Sequence, residues 1–153
     1  MRRIYTTLFL LSCLISLKSI AQEAADFYTI IDEVSEERIK ADITTLANFG
    51  TRHTLSDTLS QSRGIGAARR WIFNEFQEIA KACEGCLEVS YQKNYHEPNG
   101  KRIVKPVWIN NVVAIQKGTK YPNRFIIMSG DIDSRISDPT NYTDDSPGTN
   151  DNE

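Results

Sequence analysis

The hydrophobic pattern of this chain changes period once, at Cys86, and that change restricts it to helices followed by strands. From Val34 to Phe49 the apolar side chains Ile39, Ile43, Leu46 and Phe49 recur every three or four residues, the spacing of a helix with one buried face. Ser35 can cap that helix, Glu36 and Glu37 suit its positive N-terminal end, and Gly50 is a natural stop. A polar loop from Thr51 to Ser60 leads to a longer helix, expected from about Ser62 to Lys81. Ile65, Ala68, Ile72, Phe76 and Ile79 share its face, broadened by Trp71 and Phe73. After Cys86, Leu87, Val89 and Tyr91 alternate with polar residues, then Glu97-Pro98-Asn99-Gly100 turns the chain toward Ile103, Val104 and Val107. This pattern predicts an antiparallel hairpin. Asn111 to Gln116 predicts a further short strand and Arg124 to Met128 a buried one. The expectation is an α/β fold with two helices and then about four strands.

At 153 residues, 40% hydrophobic and 25% charged, the chain holds one globular domain at most. A net charge of -2, with Lys and Arg scattered rather than striped, excludes a phosphate-backbone binder, so no nucleic-acid partner is expected. Residues 1–21 have a separate composition. Arg2 and Arg3 precede an apolar stretch from Ile4 to Leu17, and Ser19-Ile20-Ala21 fits a small-x-small cleavage site before Gln22. The reading is a secretory signal peptide and an exported chain, periplasmic or extracellular, with no stable membrane span after cleavage. A membrane anchor is the alternative, but the apolar run is short of the roughly 20 residues that span a bilayer. Cys13 follows Leu10-Leu11-Ser12 with a lipobox flavour, a lesser reading because the apolar run continues past it.

Beyond the leader two cysteines remain, Cys83 and Cys86, spaced C-x-x-C. A local disulfide is the preferred reading in an exported chain. A zinc knuckle would need a second Cys or His pair, and His53 and His96 are isolated. A thioredoxin-like site would open a helix rather than close one.

From Asp131 to the end the character shifts to acid: Asp131, Asp133, Asp138, Asp144, Asp145, Asp151 and Glu153 stand against Arg135 alone. Such a run cannot bury a core of its own and is expected to be mobile without a cation or further structure. The placement of Asp131 and Asp133 after an apolar run suggests carboxylates at a strand's end, where α/β sheets build sites. An EF-hand beginning at Asp131 fails, because its fifth, sixth and twelfth positions are Arg135, Ile136 and Tyr142. Gly64-Ile-Gly-Ala-Ala-Arg69 follows a polar loop rather than a strand, so it reads as a helix start and not a dinucleotide loop. Asn141-Tyr-Thr143 is a glycosylation sequon, and no serine has a nucleophile-elbow context.

The two acidic segments together resemble a known pattern. Phe125-Ile-Ile-Met-Ser-Gly-Asp-Ile-Asp-Ser-Arg135 and Asp145-Ser-Pro-Gly-Thr-Asn-Asp151 look like the metal loops of the co-catalytic zinc aminopeptidases, the family of bacterial leucyl aminopeptidase and aminopeptidase Y. That family has an apolar strand with Gly-His-x-Asp-Ser and a loop into Pro-Gly-Ala-Asn/Asp-Asp-Asp. Asn48-Phe-Gly-Thr-Arg-His-Thr54, the helix with Ala68 and Trp71, and Asn111-Val-Val-Ala114 are similar to its N-terminal part, in the same order. The resemblance implies a partial three-layer α/β peptidase domain over 22–153, two zinc ions in the complete enzyme and a peptide substrate. It places Asp151 as the bridging carboxylate, Asp131 as a metal ligand, and Asp133 as the aspartate that orients a histidine ligand.

Asp131 stands where the family has that histidine, which adds negative charge at the metal and leaves Asp133 without an imidazole to orient. Asn152 stands where a further Asp is usual. The family's general base and remaining ligands lie downstream of the bridging aspartate, so no catalytic residue is assigned here and these 153 residues alone are expected to be inactive. The competing readings are a non-catalytic exported domain or degenerate gene product, or a single-zinc relative of the glutaminyl cyclases.

Overall fold

The computed structural model describes residues 28–148; the predicted leader, Cys13 and the segment 149–153 with Asp151 lie outside the described residues. The chain divides into two compact units, Met1–Ala41 and Asp42–Glu153, and the division falls inside the first helix. Among the described residues no helix is long and apolar enough to cross a membrane.

In the first unit residues 28–32 are helical, and α1 (Glu36–Asn48) then begins. Ser35 caps it as its position suggests: Arg38 N–H donates to Ser35 Oγ at 3.1 Å, and the hydroxyl donates to Glu37 at 3.1 Å. The expected buried face is corrected, because no residue of α1 is buried and Ile39 and Ile43 are 49 and 43% exposed. Just past the helix, Phe49 lies 6.3 Å from the Trp71 ring, both within the second unit. Gly50 stops the helix at a φ of +70°, a left-handed conformation that glycine adopts without strain.

α2 (Gly64–Ala82) starts without a side-chain cap from Arg63, so its first amides find partners in the preceding loop. Gly64 N–H donates to Phe49 O at 3.0 Å, Ile65 N–H to Ser56 Oγ at 2.9 Å, and Gly66 N–H to Asp57 O at 3.1 Å. The loop must therefore press against the helix start, and Leu55, Ile65, Ala67 and Ala68 form the buried core there. At the other end the chain reverses through Glu84 and Gly85, with φ of 55° and 86°, and a disulfide joins Cys83 to Cys86 across a Cα separation of 5.4 Å.

β1 (Leu87–His96) and β2 (Val107–Gln116) pair antiparallel, from Leu87 opposite Gln116 to His96 opposite Val107. One face of the ribbon lies on α2, with Phe73 and Tyr91 stacked at 4.6 Å. The sequence placed the second hairpin arm at Ile103 to Val107 and a separate strand at Asn111 to Gln116. Instead one strand covers 107–116, and Ile103 and Val104 belong to the connection. Pro106 has no N–H to give the ladder, and Asn99 Oδ1 accepts from Lys101 and Ile103 amides at 3.0 and 3.1 Å, closing a local turn.

The larger correction concerns Arg124 to Met128. The described residues contain two strands rather than about four, and this run is irregular, with Phe125, Ile126, Ile127 and Met128 at 84, 94, 88 and 93% exposed. A short apolar run without period carries no register, and a strand needs neighbours for its amides and carbonyls. The described sheet has two strands, β1 beside β2, and the run pairs with neither. The fold is thus a mixture of helix and strand, and the carboxylates of Asp131 and Asp133 do not leave the end of a strand.

Candidate metal-loop site

The site is built on the loop between the helices. Gly50 turns the chain at the end of α1, and Thr51, Arg52 and His53 are then buried although the loop is polar. Burial of a guanidinium requires that its donors be satisfied, and Arg52 satisfies them on main-chain carbonyls. Its Nε donates to Ile132 O at 2.8 Å, Nη1 to Leu46 O at 2.8 Å and Pro147 O at 2.6 Å, and Nη2 to Gly148 O at 2.8 Å. Burial lowers its pKa, an effect opposed by the charge of Asp133. Arg52 N–H also donates to Ser134 Oγ at 3.0 Å, and that buried hydroxyl donates to Ser146 O.

The residues 131–148 are fixed at further points. The Nδ1 of His53 accepts the Leu55 amide at 3.0 Å, so its proton sits on Nε2, which donates to Pro139 O at 3.0 Å. Both ring nitrogens are engaged, which removes His53 as a metal ligand. Arg63 donates to Thr143 O at 2.8 Å and forms an ion pair with Asp145, while Lys105 sits 3.9 Å over the Tyr142 ring. The acidic segment, expected to be mobile from composition, is in this way bonded to basic residues from the other side of the unit through residue 148.

Asp131 and Asp133 are both exposed, and Asp133 Oδ2 accepts only a long bond, 3.5 Å, from Thr54 Oγ1. Asp133 has no imidazole to orient. Burial lowers the pKa of both Arg52 and Arg69, and the charge of Asp133 partly opposes that lowering at each. An open hollow of about 280 Å³ lies beside it, lined by His53, Thr54, Ile103, Ile109, Arg135 and Pro139. The sequence assigned no role to Arg52 or Ser134, although both sit inside the matched motifs. The available signal was a cation set just behind the Gly50 helix stop.

A zinc cage requires about four donors. Among the described residues no group of three or more His, Cys, Asp or Glu could hold a metal ion. Of the two expected ligands only Asp131 lies among the described residues, and one exposed carboxylate does not make a zinc cage.

Asp138 provides a pH test of the segment. Its carboxylate accepts the Thr140 hydroxyl at 2.7 Å and the Thr140 amide at 2.8 Å, bonds that lower its pKa below the usual carboxylate value. A depressed folded-state pKa gives stability that is present above the unfolded value, about 3.9, and is lost as pH falls through the folded value. Amide exchange at Thr140 and Asn141 should accelerate below about pH 4 relative to the intrinsic rate. Protection that stays unchanged while the Asp138 carboxyl itself is titrated, followed by NMR, would contradict this account of the turn.

No family model matches the chain, and no solved structure matches it. Curated relatives do. The chain is 48% identical over 122 residues to a probable zinc metalloprotease of Pyrenophora teres f. teres, covering 80% of this chain and 25% of that one. It is 45% identical over 126 residues to a probable zinc metalloprotease of Leptosphaeria maculans, 82% of this chain and 29% of the relative. Against one of Pyricularia oryzae the identity is 46% over 127 residues, 83% and 25%. The chain therefore spans between a quarter and a third of the length of these relatives. The likenesses support a zinc metalloprotease family.

Proposed function

We propose that the chain is part of an exported zinc metallopeptidase of aminopeptidase type, in which Asp131 and Asp151 bind metal and a peptide is hydrolysed. The observation that carries the reading is the identity of nearly half the residues with fungal probable zinc metalloproteases across four fifths of this chain. The geometry is compatible with it. The same guanidinium holds the carbonyl between Asp131 and Asp133 and the carbonyls of Pro147 and Gly148, three residues before Asp151. Two separate stretches of main chain are thereby held at one guanidinium, the kind of support that a site with hard oxygen donors requires. The Ile103 and Ile109 walls of the hollow beside Asp133 give an apolar place for a substrate side chain. Ligands and a general base beyond the described residues complete the site, and the activity belongs to the whole protein.

The test is hydrolysis of peptides by the complete protein. Unblocked peptides should release their N-terminal residue, N-acetylated ones should resist, and a zinc chelator should reduce the rate more than about 100-fold. Cleavage of blocked peptides at an equal rate removes the aminopeptidase assignment. Cyclisation of an N-terminal glutaminyl peptide without hydrolysis favours the cyclase-type relative, and chelator-insensitive hydrolysis rejects the metal.

A further inference from the structure

We propose that Arg52 is the positioning residue of this site, setting the distance between the turn that carries Asp131 and Asp133 and the segment 146–148; the role rests on the peptidase reading above. The guanidinium is rigid and planar, and its N–H groups point in fixed directions. Four of its five are used, on Ile132 and Gly148 at either side and on Leu46 and Pro147 between. Among the described residues every guanidinium bond goes to a main-chain carbonyl, so the group fixes backbone rather than neutralising a side chain.

Two neighbours remove the slack. Ser134 joins Arg52 N–H to Ser146 O through one hydroxyl, tying the same two segments a second time. Gly148 has a φ of +45°, and a Cβ there would lie 2.6 Å from Ser134 Cβ and 3.3 Å from Arg52 Nη2. Glycine at 148 is what lets the chain come near enough for its carbonyl to reach the guanidinium. Arg52, Ser134 and Gly148 form one closely packed junction. An ammonium offers its donors from a single atom and cannot span these carbonyls, although it keeps the charge.

The experiment compares wild type, Arg52→Lys, Arg52→Gln and Ser134→Ala in the complete protein. Misplacement by about 1 Å costs roughly 100-fold in turnover. Arg52→Lys should therefore lower kcat about 100-fold with KM within about threefold. Amide exchange of the metal-free protein should quicken at residue 52, whose N–H donates to Ser134 Oγ, and stay unchanged along α2 and the hairpin. Arg52→Gln should behave no better than Arg52→Lys, which separates fork geometry from charge. Ser134→Ala keeps the guanidinium, folds more safely, and should show the same pattern with a loss of about 10-fold. Wild-type kcat in Arg52→Lys overturns the role, as does a loss confined to KM. So does exchange that quickens throughout α2 in Arg52→Lys while Ser134→Ala matches wild type. A wild-type protein that hydrolyses no peptide overturns the peptidase reading and this role with it. A hydrolysing wild type beside an equally fast Arg52→Lys overturns this role alone.

Discussion

Gly66→Ala is expected to destabilise the complete protein by about 3 kcal/mol, in the direction opposite to the usual effect of alanine in a helix. At an open helical position alanine would gain roughly 0.5 to 1 kcal/mol over glycine, through a smaller loss of backbone entropy. Position 66 is not open. A Cβ there would meet Thr58 O, and would lie 2.5 Å from both Thr58 C and Thr58 Cα. These are backbone atoms of the loop that supplies the α2 start with its acceptors, so relief requires moving Asp57 away from the Gly66 amide. Gly85→Ala serves as the contrast. Nothing lies within 4 Å of a Cβ there, and its φ of +86° alone should cost about 1 kcal/mol. Denaturant midpoints for the two variants decide the matter; a Gly66→Ala protein as stable as wild type would mean that the loop does not press on the helix.

Arg52→Met should cost about 4 kcal/mol. Methionine matches the length of the aliphatic stem and removes the buried charge, which by itself relieves a desolvation cost. What remains is the loss of donors to Ile132, Leu46, Pro147 and Gly148, leaving carbonyls without partners in a region closed to water on the Thr51 to His53 side. Unsatisfied buried acceptors each cost roughly 1 to 3 kcal/mol, so the acceptors outweigh the relief. The unfolding midpoint should fall, and amide protection at residue 52 should vanish before that at Ile65. A midpoint within about 1 kcal/mol of wild type would show that water replaces the guanidinium at little cost.

The helices were legible because their side chains carry a period, and their ends because Ser35, Gly50 and Gly64 are local signals. The hairpin was legible as alternation, but its boundary depended on Pro106 and on the Asn99 turn, where local hydrogen bonding overrides a pair of apolar residues. Phe125 to Met128 misled, since hydrophobicity without period tells burial from exposure only when a partner surface is present. The acidic segment was read from composition as mobile. What composition could not show is that Arg52, His53 and Arg63, about 80 residues earlier in the chain, supply the donors that its carbonyls accept. Long-range bonds to main-chain carbonyls leave no mark on the identity of the accepting residue. Asp131 and Asp133 were visible as a pair, but their surroundings were not. Both are exposed, and the charge of Asp133 acts on the guanidiniums of Arg52 and Arg69 rather than on an imidazole.

Whether these carboxylate loops belong to a zinc peptidase is tested most directly by the zinc content of the complete protein, measured by elemental mass spectrometry after purification without added metal, for wild type, Asp131→Ala and Asp151→Ala. Zinc bound in stoichiometric amount by wild type, and reduced in both variants while the fold is retained, is the predicted result. A folded wild-type protein that carries no zinc and takes none from a zinc buffer would contradict it.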